Sequence, residues 1–85
     1  MRVVFKYLLA PNITPVMAPK HAIPLKVGAQ EGKMYLWMEV DTDQLLTEYH
    51  YSVFGTGHNM FECTGTYVDT VFMDSFVFHI YIEEH

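Results

Sequence analysis

A chain of 85 residues lies near the lower end of sizes that bury enough surface to fold unaided, and its single cysteine, Cys63, excludes an intrachain disulfide. With 51% hydrophobic and 15% aromatic residues it is too apolar for intrinsic disorder, so one folded domain spanning residues 1–85 is expected. A net charge of −5 argues against a nucleic-acid binder, because phosphate contact needs clustered Lys and Arg.

Residues Arg2 to Leu9 alternate Val3, Phe5, Tyr7 and Leu9 against Arg2, Val4, Lys6 and Leu8, the pattern of a first strand that Pro11 ends. Four prolines (Pro11, Pro15, Pro19, Pro24) then exclude a long helix or a central strand. The stretch Asn12 to Ile23 is therefore expected to be an extended connector over the surface, with Ile13, Val16 and Met17 packing down. Leu25 to Gln30 and Lys33 to Val40 flank Glu31-Gly32, a two-residue hairpin signal. Met34, Leu36, Met38 and Val40 fall on one face, the expected core; Tyr35, Trp37, Glu39 and Asp41 fall on the other. Asp41-Thr42-Asp43 is suited to capping a short helical turn through Leu46.

Tyr49 to Phe54 reads as a further strand, and Thr64 to Phe72 with Ser75 to Ile82 as a C-terminal hairpin turning near Met73-Asp74. In its last strand Phe76, Phe78, Ile80 and Ile82 alternate with Val77, His79 and Tyr81, so both faces are apolar. The expected fold is all-β: about five or six antiparallel strands with a proline-rich N-terminal connector, forming a small curled sheet or partly open barrel. No amphipathic helix exists to cover a second apolar face. Strand faces bearing Tyr35, Trp37, Val77 and Tyr81 thus point to a homo-oligomer, a dimer first of all.

Chemistry concentrates at Val53-Phe54-Gly55-Thr56-Gly57-His58, a β-prone pair feeding two glycines around a hydroxyl. Glycine adopts positive φ without steric cost, so Gly55, Thr56, Gly57 and His58 can form either a tight turn or a loop whose N–H groups and imidazole hold an anion. A lysine after the glycines is missing, as a phosphate-binding P-loop requires, and Met60 stands where a dinucleotide fingerprint needs its third glycine. His50, His58 and Cys63, with Glu62 or Asp69, match no metal-ligand spacing, and no nucleophile elbow or catalytic-cysteine signature surrounds Ser52, Thr56 or Cys63. No enzyme, cofactor or metal is expected.

All five basic residues lie in the first 33 positions, while every acid except Glu31 follows Met34. Charge is either mixed by interleaved strands or separated into a dipole suited to head-to-tail association or a basic partner. The rings of Tyr35, Trp37, Tyr49, Tyr51, Tyr67 and Tyr81 fill a β core or serve recognition. Residues 1–10 carry no signal-peptide apolar run and no stretch approaches a membrane span, which makes the cytosol the default location and membrane association unexpected. Asn12-Ile13-Thr14 fits a glycosylation acceptor only by chance in that setting.

The ordered landmarks Lys6-Tyr7, Pro19, Leu36-Trp37, Val40-Asp41, Val53 to His58, Gly65-Thr66 and Phe76-Val77-Phe78-His79 resemble a family of small uncharacterised proteins of bacteriophages and prophages. Members usually have Met-Pro where this chain has Met17-Ala18-Pro19, and a more basic segment in place of Leu45-Leu46-Thr47-Glu48. The resemblance implies a phage accessory protein without assigning an activity or functional residues, and the leading expectation is that it is non-enzymatic and binds and inhibits a host component. A host defence or regulatory protein would be met through the acids Asp41, Asp43 and Glu48 and the rings of Trp37, Tyr35 and Tyr81. A nucleotide-like immune signal would instead be sequestered by Gly55 to His58 in an oligomer, and a virion structural role is a third class. Net charge favours the protein target.

Overall fold

A computed structural model describes residues 1–10, 15–61 and 63–85. The described chain is all-β, with seven strands in two antiparallel sheets and no closure into a barrel. Strands β1 (Arg2–Leu9), β3 (Ile23–Gln30) and β4 (Lys33–Asp41) form one sheet in the order β1-β4-β3. Strands β2 (Val16–Pro19), β5 (Leu46–Gly55), β6 (Thr66–Met73) and β7 (Phe76–Glu84) form the other in the order β2-β5-β7-β6.

The expected curled, open all-β fold is borne out, and the connector adds a strand to it. Residues 16–19 do not run over the surface: β2 pairs with Leu46–Tyr49 and buries Val16, Ala18 and Pro19, while Met17 points out. Proline is tolerated because β2 is an edge, where a missing donor faces no neighbour. Pro24 sits likewise in the edge strand β3. The expected packing of Ile13 lies outside the described residues.

The Glu31-Gly32 turn forms as expected, with φ of 53° and 75°, the positive pair that matches the twist of the strands it joins. The second hairpin turns one residue later than expected, at Asp74-Ser75, between the paired Met73 and Phe76. No helical turn follows Asp41. Its side chain accepts the Asp43 N–H at 3.0 Å and its carbonyl the Gln44 N–H at 3.1 Å, a single Asx-type turn that delivers the chain to β5 at Leu46.

Leu36, Met38 and Val40 of β4 meet Val16, Ala18, Tyr49, Val71, Ile80 and Ile82 of the facing sheet in the core. Tyr49, the largest fully buried side chain, donates its hydroxyl to the Pro19 carbonyl at 2.6 Å and accepts the Ala22 N–H at 3.0 Å. It thereby ties the crossover between sheets to the core, and burial pushes its phenol above the ordinary value. Tyr51 donates to the Ala10 carbonyl. Two of the six recognition candidates among the aromatics are thus committed to the frame.

One side of the sandwich is fastened by Asp69, at the bulge that interrupts β6 between Tyr67 and Asp69. Its carboxylate accepts the Val27 N–H across the gap to β3 at 3.0 Å, the Lys26 ammonium at 3.2 Å and the Thr70 N–H at 2.8 Å. Burial pushes this carboxyl up, but the Val27 and Thr70 N–H groups and the Lys26 charge outweigh it, leaving it below the ordinary value. A depressed carboxyl contributes stability above its unfolded value of 3.8 and loses it as pH falls through the lower folded value. Asp69→Ala is therefore expected to cost about 1–3 kcal/mol at pH 7 by leaving the Val27 donor unpaired. Urea titrations across pH should show the wild-type advantage shrink below the ordinary carboxylate range and vanish in strong acid; an unchanged pH 7 midpoint in the variant would refute the role.

Candidate functional site

The Gly55–His58 segment is a closed turn at the end of β5. The His58 N–H donates to the Gly55 carbonyl at 3.0 Å, and the Gly55 N–H donates to the His58 ring Nδ1 at 3.1 Å. Gly57 adopts φ of 86°, as expected, whereas Gly55 has no positive φ. Gly55 instead makes room for a side chain: a Cβ there would lie 2.7 Å from the His58 ring and would displace it. The imidazole consequently folds back on its own backbone.

Thr56 is also engaged. Its hydroxyl meets His79 Nε2 at 2.9 Å, His79 Nδ1 meets the Thr70 hydroxyl at 3.0 Å, and that hydroxyl meets the Tyr67 hydroxyl at 2.7 Å. This polar seam crosses β7 and β6 on the face of the four-stranded sheet turned away from the core. Register places Phe54, His79 and Thr70 side by side there, then Ser52, Tyr81 and Tyr67, with Phe72 beside Val77. Directly opposed residues share a face in antiparallel pairs.

Tyr81 anchors this outer face, with edge-on contacts to Phe54 at 5.9 Å and to Tyr67 at 5.5 Å. Tyr67 is 52% exposed and Phe72 75% exposed. Past the turn, Asn59 and Phe61 join Ser52 and Phe54 around a shallow depression at the same surface. Toward the other end the face becomes polar: Glu48 lies 3.2 Å from the His50 ring, and the Thr64 hydroxyl donates to Glu83. An apolar, aromatic patch with an acidic margin results, the composition of a protein-binding surface.

Of the residues singled out in the sequence, Thr56, Tyr81 and Glu48 share this side of the molecule. Tyr35 and Trp37 lie on the outer face of the three-stranded sheet, their rings 6.2 Å apart, with the Lys6 ammonium 4.5 Å above Tyr35. Asp41 and Asp43 sit at the β4–β5 turn, where the Met1 amino group approaches them at 3.2 and 3.1 Å. The three acids therefore form no single cluster. Phe54, Phe72 and His79 were missed as site residues because alternation alone does not say which apolar face is covered. The candidate ligand Glu62 lies outside the described residues, among which no group of His, Cys, Asp and Glu side chains converges to hold a metal.

The strands of the three-stranded sheet carry both signs, Arg2, Lys6, Lys26 and Lys33 with Glu39 and Asp41, whereas those of the four-stranded sheet carry Glu48, Asp69, Glu83 and Glu84 without any Lys or Arg.

The chain belongs to the DUF7352 family, a domain of unknown function, whose model matches residues 1–85. No curated protein and no solved structure matches it.

A double-mutant cycle tests the closed turn. Gly55→Ala should destabilise by displacing the His58 ring, and His58→Ala by removing an acceptor worth about 0.5–1.5 kcal/mol. In the His58→Ala background, Gly55→Ala should cost clearly less, giving a coupling above about 0.5 kcal/mol. Additive costs in chemical denaturation would place the ring elsewhere.

Proposed function

We propose that this chain is a small non-enzymatic accessory protein of phage origin that acts in the host cytoplasm by binding and inhibiting a host protein of a defence or regulatory system. The phage setting rests on the resemblance in Lys6-Tyr7, Leu36-Trp37, Val53 to His58 and Phe76 to His79. One observation carries the choice of a protein target: the outward aromatic face built from Phe54, Tyr67, Phe72 and Tyr81 around His79. Aromatic anchors dominate interface energies, and the acids Glu48 and Glu83 at the margin of the face suit a target with basic groups at its rim.

The same structure weighs against capture of a nucleotide-like signal. His58 Nδ1 and the Thr56 hydroxyl, which would have to meet phosphate, are taken up by Gly55 and His79. A phosphate would also approach a sheet whose strands carry only acids among their formally charged residues.

Protein purified from host cells should retain a host protein in stoichiometric amount, and Tyr67→Ala with Tyr81→Ala should release it while thermal stability falls only modestly. Titration calorimetry with cyclic and linear nucleotides should give no submicromolar binding. Submicromolar binding lost in His58→Ala would overturn the proposal in favour of signal sequestration.

A further inference from the structure

We infer that β1 is the interface between two copies of this chain, paired antiparallel about Phe5 so that the two three-stranded sheets become one sheet of six. The inference concerns an edge remote from the aromatic face and stands independently of the host target. β1 ends its sheet, and among the described residues no strand lies along its outer side. The opposite edge, β3, is covered by the Asp69 carboxylate on the Val27 N–H.

The direction of the backbone groups follows from the existing ladder. The Met1 carbonyl accepts the Thr42 N–H at 2.9 Å, and register pairs Arg2 with Asp41 through Leu9 with Met34. Odd-numbered residues therefore bond β4, and the N–H and C=O groups of Arg2, Val4, Lys6 and Leu8 face the open edge. Among the described residues those outward groups of the eight-residue strand have no partner, and such an edge is a template for another strand. Phe5 marks where that strand belongs. Its β4 partner, Met38, is fully buried, so its side chain lies on the inward face, and yet it is 45% exposed.

Charge selects the register. Pairing centred on Val4 sets Arg2 against Lys6 of the second copy, and pairing centred on Lys6 sets two lysines against each other; like charges directly opposed destabilise a sheet. Pairing centred on Phe5 opposes Arg2 to Leu8, Val3 to Tyr7, Val4 to Lys6 and Phe5 to Phe5, with no like charges facing. Centres nearer either end pair fewer residues. About Phe5 the two rings fall in a non-hydrogen-bonded pair, where Cα atoms approach to about 4.5 Å and side chains touch most closely. The arrangement is two-fold and closed, so it stops at a dimer.

Light scattering at high micromolar concentration should give twice the 9.9 kDa chain mass, falling to the single mass in Val4→Pro, which removes an edge donor and leaves the β4 ladder intact. In a Cys63→Ser background, Phe5→Cys should cross-link to a covalent dimer on mild oxidation, because the opposed Cα atoms lie within the span of a disulfide, whereas Val3→Cys, opposed to Tyr7, should not. A wild-type mass of 9.9 kDa overturns the inference, as does a dimer that survives Val4→Pro. Cross-linking through Val3→Cys in place of Phe5→Cys overturns the register.

Discussion

The architecture depends on one carboxylate that closes one side of the sandwich. Two small sheets share a core of eleven buried apolar residues among those described, and along the β3 and β6 edges Asp69 supplies the acceptor that the Val27 N–H would otherwise lack. A buried donor left unpaired costs more than a typical hydrogen bond returns, so this contact fixes which edges meet. The bulge in β6 brings Asp69 to that position, and the same bulge sets which residues of β6 look outward.

An 85-residue chain can cover only one face of each sheet, and the two outer faces differ in character. That of the three-stranded sheet places Tyr35 and Trp37 among Lys6 and the ion-paired Arg2 and Glu39. The outer face of the four-stranded sheet gathers Phe54, Tyr67, Phe72 and Tyr81 around a hydroxyl–imidazole seam, with acids at its end. Only the four-stranded layer is of a single sign, since Glu39 and Asp41 accompany the basic residues of the three-stranded one. Because both ring nitrogens of His79 meet hydroxyls, the centre of this aromatic face is held in place by the protein itself.

Much of this was legible in the residues. Alternation identified β1 and the inward set of β4, and Glu31-Gly32 identified the turn between β3 and β4, because period and turn chemistry are local properties. Pro19 hid β2, since a proline at the end of an edge strand looks in sequence like a proline in a loop. The Gly55 to His58 stretch suits either a turn or an anion loop by sequence alone; the ring position of His58, which no spacing rule gives, engages its groups internally. Asp41 capped its neighbour as its residue type suggests, but one such bond does not sustain a helix without apolar contacts to follow it. The outward aromatic face required knowing which sheet face the other layer covers, a tertiary fact.

Residue-resolved amide hydrogen exchange of the intact protein tests the one-sided closure most directly, at Val27. An edge-strand amide pointing away from its own sheet normally exchanges near the unprotected rate. Strong protection of Val27 at neutral pH, declining as acid titrates Asp69, is the result this account predicts. A Val27 amide that exchanges freely at neutral pH would contradict it.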